Sequence, residues 1–228
     1  MLFSTKPSRR EMIPGSIYLF LFACVMPLAV PLFAARFLPR LNTPQVNFLY
    51  FCINFIAVTV IFRKYLLRTL QDALRCPLRT LTYALFALLG SIMLGNLVLS
   101  YILRWFPEFR NVNDNAIGAM VQQNLPLMAI GAVFLAPVTE ELLFRGLIFR
   151  GMYDRSPFWA YVCSMVLFSL VHVSGYLGMY SWKLLALCFL QYLVPAYCLC
   201  FAYRFSGNLA APILMHMVTN LVALSEMR

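Results

Sequence analysis

Long apolar runs alternate with short polar or basic segments along the whole chain. The runs cover residues 16–38, 46–62, 81–103, 125–153, 158–173, 182–203 and 209–225. Each is close to the roughly 20 residues that a helix needs to cross the hydrocarbon core of a bilayer. The expected fold is therefore all-α: a polytopic transmembrane helix bundle of about seven spans. The first run holds Pro27 and Pro31 and ends among Arg36 and Arg40. It exceeds the roughly 7–15 residues of a signal-peptide core, so it is read as a first span kinked by its prolines. Residues 63–80 carry Arg63, Lys64, Arg68, Arg75 and Arg79 between leucines, the pattern of a basic amphipathic connector lying on an anionic leaflet. Residues 104–123 form the longest polar loop, and a Gly-rich loop follows the fifth span at 174–181. No internal repeat stands out.

Composition strengthens the membrane reading. Of the 228 residues, 62% are hydrophobic and 11% charged, too little charge to cover the surface of a soluble domain of this length. The net charge of +10 does not mark a nucleic-acid partner, because the basic residues cluster at span edges, as the positive-inside rule describes. With the amino terminus in the cytoplasm, Lys6, Arg9, Arg10, Arg63, Lys64, Arg68, Arg75, Arg79, Arg150, Arg155 and Arg204 fall on the inner side. Arg36, Arg40, Arg104, Arg110, Lys183 and Arg228 fall on the outer side. The expected location is the cell membrane, with an inner amino terminus and an outer carboxyl terminus. Seven scattered cysteines read as small apolar residues; Cys198 and Cys200 are two apart and face different sides of a helix.

Against this apolar background a few polar residues stand out. Glu140, Glu141 and Arg145 interrupt the fourth run, with Pro137 just ahead of them and placed to open the backbone. His172 lies in the fifth run, and His216 and Asn220 lie in the seventh. Unpaired charges near the bilayer centre cost about 2.5–3.5 kcal/mol on the insertion scale, so such residues need partners or a wet cavity and mark a functional site by default. Glu141 and Arg145 are four apart and can pair along one helix face, while Glu140 points about 100° away from its neighbour. His216 and Asn220 are also four apart and can share one cavity. With a rise of about 1.5 Å per residue, Glu140 and His172 each lie roughly 20 Å from the inner ends of their helices, and His216 and Asn220 roughly 10–18 Å. Similar depth on three helices places the site in a cavity between spans four to seven.

A carboxylate and an imidazole facing one water can remove its proton and return it to a leaving amine. A second imidazole and an amide can donate to a developing oxyanion. This is a set for amide hydrolysis without a covalent nucleophile. Alternatively, Glu140, His172 and His216 can supply three zinc ligands and leave a position for water. The His-Glu-x-x-His spacing that would make zinc a strong reading is absent from the sequence.

The segments Glu140-Glu141-Leu-Leu-Phe-Arg145, Phe168-Ser-Leu-Val-His172 and His216-Met-Val-Thr-Asn220, in this order and on separate helices, resemble the three motifs of the CPBP (Abi) intramembrane proteases. That family includes the type II CAAX prenyl endopeptidases. The resemblance covers about the last 100 residues. It implies that Glu140 and His172 activate the water, that His216 and Asn220 form the oxyanion hole, and that Glu141, Arg145 and Phe168 organise the site. It divides the chain into an N-terminal transmembrane region, 1–110, and a catalytic helical core, 111–228. The expected activity is endopeptidase cleavage of a membrane-associated peptide or protein within the lipid bilayer. A glutamate-dependent mechanism without a cofactor accounts for all four polar residues; a zinc-dependent version is the alternative. A non-catalytic bacteriocin-immunity or scaffold protein and a small transporter are the competing classes.

Overall fold

The computed structural model describes Phe3 and residues 5–227, and among them all regular structure is helical. Arg228, which the charge pattern puts on the outer side, lies outside the described residues. In chain order the helices are α1 (Arg9–Phe37), α2 (Thr43–Ile61), α3 (Arg63–Arg75), α4 (Pro77–Trp105), α5 (Val112–Gln123), α6 (Leu125–Tyr153), α7 (Pro157–Ser174), α8 (Trp182–Ser206) and α9 (Ala210–Glu226). Helices α1, α2, α4, α6, α7 and α8 are long and apolar enough to cross a membrane. Helix α9, at the place of the seventh span, has 17 residues. That is about 25 Å, the short end of a spanning helix. The protein is a multi-pass membrane protein.

The helix boundaries follow from local chemistry. Asn42 and Gln45 form a reciprocal cap at the start of α2, each side chain accepting from the other's backbone N–H. Ser156 with Pro157 opens α7, and Ser181 opens α8. Helix α8 stops at Gly207, whose φ of 79° is a left-handed conformation that suits glycine. The connector expected over 63–80 splits. Its basic part is the helix α3, which ends before Cys76, and Pro77 then starts α4 about one turn earlier than hydropathy alone suggests. The segment expected as a polar loop over 104–123 contains α5. Asn111 caps it by accepting from the backbone N–H groups of Asn113 and Asp114, and Val112 and Val121 are buried.

Helix α6 is the centre of the bundle: 56% of its most apolar stretch is buried, against 17–33% for the other spans. Leucines such as Leu28, Leu32 and Leu85 on the surrounding spans are exposed, as lipid-facing residues should be. The backbone widens to i→i+5 turns at Leu21–Val25 in α1 and at Ile130–Leu135 and Glu141–Phe149 in α6. The first two precede Pro27 and Pro137, which have no N–H for the carbonyls a turn before them, so the ladder opens there. In the third, every side chain is buried, and packing on all sides holds the wide turns. The main core joins Leu142, Phe144 and Phe149 of α6 to Phe62, Tyr65, Phe168, Leu199 and Leu209, so residues from both halves of the chain build it.

Candidate functional site

Glu140 and Glu141 sit where the regular part of α6 passes into its wide turns. That placement separates the two carboxylates. Glu140 lies on the wall of a cavity of about 250 Å³, whereas Glu141 is wholly buried behind it. One oxygen of Glu141, Oε1, accepts from Arg145 Nη1 at 3.1 Å and from His216 Nδ1 at 2.9 Å. Arg145, also wholly buried, donates from Nη2 to the Ala196 carbonyl and lies over the Phe168 ring at 4.4 Å. The expected Glu141–Arg145 pair is therefore present, and it is tied to α9 through His216, to α8 through Ala196 and to α7 through Phe168.

The second carboxylate faces the imidazoles. Nε2 of His172 and Nε2 of His216 each lie 3.8 Å from Glu140 Oε2. That buried oxygen has no hydrogen-bond partner among the described residues. The separations suit a bridging water better than direct contact. His172 Nδ1 is 2.8 Å from the Phe168 carbonyl. A carbonyl only accepts, so Nδ1 carries the proton and Nε2 turns its lone pair to the cavity. The His172 ring lies between Phe168 and Tyr192, with centroid distances of 4.4 and 4.5 Å. Asn220 lines the same cavity and donates one amide hydrogen to the Ala132 carbonyl at 2.8 Å. The other amide hydrogen stays available for a ligand. The structure thus brings Glu140, His172, His216 and Asn220 to one cavity and sets Glu141, Arg145 and Phe168 behind it.

All four of the last spans line the cavity, as the polar pattern led one to expect, and α1, α2 and α5 close the remaining sides. Tyr50, Asn54, Asn113, Asp114 and Tyr192 line it and had no place in the sequence reading. Asn47 and Asn54, seven apart within an apolar run, were the signal available for the α2 wall. Tyr192 donates to Asp114 at 2.8 Å and accepts from Asn113 Nδ2 at 3.0 Å, joining α8 and α5 at the cavity mouth. Burial pushes the Asp114 carboxyl above its usual range, and the Tyr192 bond and His172 offset this only in part. The cavity continues into a vestibule of about 1040 Å³ that shares Ala23, Pro27, Asn47, Tyr50, Asn113, Val171 and His172 with it.

Among the described residues, no group of three or more His, Cys, Asp and Glu side chains is arranged to hold a metal ion. Nε2 of His172 and Nε2 of His216 both lie 3.8 Å from Glu140 Oε2, so the three candidate ligands adjoin one another.

Residues 122–222 match the family described as "Type II CAAX prenyl endopeptidase Rce1-like". The matched segment contains every residue of the three motifs, so the resemblance is borne out there. A Bacillus subtilis (strain 168) protein named "Putative membrane peptidase YdiL" is 31% identical over 109 residues, 47% of this chain and 40% of that protein. The "UPF0177 protein YbdI" of Lactococcus lactis subsp. lactis (strain IL1403) is 28% identical over 127 residues, 54% of this chain and 68% of that protein. The alignment thus spans two fifths of the first relative's length and two thirds of the second's. No solved structure matches the chain.

Proposed function

We propose that the protein is an intramembrane endopeptidase that hydrolyses a peptide bond of a membrane-associated peptide or protein, with Glu140 and His172 as the groups that activate water. The observation that carries this reading is the convergence of two imidazole nitrogens on Glu140 Oε2, an oxygen free of other hydrogen bonds in a cavity inside the bundle. The Rce1-like match over 122–222 and the peptidase name of the Bacillus relative support the same class.

In this reading a water held between Glu140 Oε2 and His172 Nε2 attacks the scissile carbonyl carbon. Its proton passes to that pair, which acts as general base. The carbonyl oxygen becomes an oxyanion, and the free Asn220 amide hydrogen and His216 Nε2–H donate to it. His216 already uses Nδ1–H on Glu141, so donation from Nε2 requires a ring carrying both protons. The Glu141 carboxylate is placed to balance that charge. Collapse of the tetrahedral intermediate breaks the C–N bond as the stored proton moves to the leaving nitrogen, giving one free carboxylate and one amine. Phe168 and Tyr192 keep the His172 ring in plane for both transfers.

The test is peptide cleavage by the purified protein in liposomes, read beside Glu140→Ala and His172→Ala. Each substitution is expected to lower the rate by about 10²-fold or more, the scale of losing a general base, while the protein still inserts and accumulates. Undiminished cleavage by both variants overturns the assignment. Stripping divalent metals with a chelator is expected to leave the rate unchanged. Loss of cleavage that zinc restores would instead support the metal-dependent version, with Glu140, His172 and His216 rearranging into a ligand set.

A further inference from the structure

The vestibule runs along α1 towards one end of the bundle. Its walls include Leu38, Leu41 and Thr43 around the turn from α1 to α2, and Gly175, Tyr176 and Leu177 just after α7. Among the described residues, none of the segments 63–77, 153–157 and 206–210, at the opposite end, lines the vestibule or the cavity. The helix directions agree. Asn220 and His172 lie towards the ends of α9 and α7 that face this mouth, and α5 caps the same end.

The two ends differ in charge and in form. The closed end carries α3, whose Tyr65, Thr69 and Ala73 are buried against the bundle. Its outer side exposes Leu67, Leu70 and Leu74, at 61, 40 and 81%, beside exposed Arg63, Lys64, Arg68 and Arg75. Leucines level with arginines and a lysine on one helix surface fit the headgroup region of an anionic leaflet. Arg150, Arg155 and Arg204 sit at the same end, whereas the mouth end holds Arg36, Arg40, Arg104, Arg110 and Lys183. The basic excess belongs in the cytoplasm.

We propose that the site opens to the extracytoplasmic face, so that its substrate is a peptide segment presented from outside the cytoplasm. The substrate half of this inference rests on the peptidase reading above; the orientation half does not. An apolar segment of an exported peptide at the outer leaflet can enter the vestibule beside α1, whose small side chains leave the groove open. It then meets Glu140 without crossing the membrane. A protein made and kept in the cytoplasm would face the closed end and α3.

Orientation is read in intact cells with a membrane-impermeant maleimide. The chain carries Cys24→Ala, since Cys24 is the exposed native thiol among seven, and a single added cysteine. Leu177→Cys and Met179→Cys, both exposed at the mouth end, are expected to label at least tenfold more strongly than Lys64→Cys and Arg63→Cys. The latter pair should react only after permeabilisation. Two positions at each end guard against one variant that fails to fold. The reverse pattern, or equal labelling of both ends in intact cells, overturns the proposal. If the labelling is as expected but Glu140→Ala loses no cleavage, the orientation stands and the substrate assignment falls.

Discussion

Glu141 Oε1 holds Arg145 Nη1 at 3.1 Å and His216 Nδ1 at 2.9 Å, with no exposure of either charged side chain of the pair. Removing Glu141 leaves the Arg145 charge buried and unmatched, and removing Arg145 leaves Glu141 with His216 alone, a loss of about 3–5 kcal/mol for a broken buried pair, whereas removing both takes away the desolvation cost as well. Glu141→Gln and Arg145→Gln are each expected to lower the melting temperature in detergent sharply. The double variant Glu141→Leu/Arg145→Leu should recover part of that loss. Additive losses in the double variant would show that the two residues act separately. Tyr192 makes a finer distinction. Its ring lies 4.5 Å from that of His172, and its hydroxyl bonds Asp114. Tyr192→Phe keeps the ring and leaves the half-buried Asp114 without its donor, which costs about 1 kcal/mol of stability. Turnover should stay within a few-fold. Tyr192→Ala also removes one wall that holds His172, and turnover should fall at least tenfold. Equal turnover in the two variants would exclude a positioning role for the ring.

Helix α6 shows how an element limits what its residues can become. A Cβ at Gly146, in the wide-turn segment, would lie 2.8 Å from Tyr65 Cε1. Tyr65 is fully buried, with its hydroxyl 2.6 Å from that of Tyr203, so it cannot withdraw. Gly146→Ala is expected to destabilise by about 1–3 kcal/mol, the range for overpacking. At Gly95 on α4 the same atom meets nothing within 4 Å, so Gly95→Ala should be neutral or slightly stabilising. Matching thermal melts for the two variants would contradict the close approach of α3 to α6. The charged residues of α6 were legible in the sequence because a carboxylate in an apolar run can turn only to other protein groups or to trapped water. The wide turns were not. Pro137 announces the first, but the segment Glu141–Phe149 depends on contacts from α3, α7, α8 and α9 that no local pattern records. Helix α5 was hidden for a related reason. Its polar side chains resemble those of a loop, and its cap at Asn111 and its buried Val112 and Val121 become visible only against the partners they meet.

For the whole molecule, the count and order of spans were readable because hydrocarbon demands long apolar helices. The depth of His172, His216 and Asn220 was readable because helical rise is nearly constant. The part played by α1 and α2 was less so: Asn47 and Asn54 hinted at the α2 wall, but Tyr50 and the α1 residues look like ordinary residues of a span until α6 is set against them. What sequence and structure fix together is the asymmetry between the closed, basic end and the open end. Arg63, Lys64, Arg75 and Arg79 are all exposed, so replacing them with Gln leaves the buried contacts of α3 in place. It also removes most of the charge excess that sets orientation. In the orientation proposed above, this variant should insert as a mixture of two topologies. With a reporter active only outside the cytoplasm fused after α9, its activity per chain should drop markedly relative to the unsubstituted protein. The impermeant label at Leu177→Cys should fall in the same proportion. Because the core is untouched, the inverted fraction should still fold. A reporter signal unchanged by all four substitutions would show that the basic residues of α3 and the start of α4 do not decide which way this bundle faces.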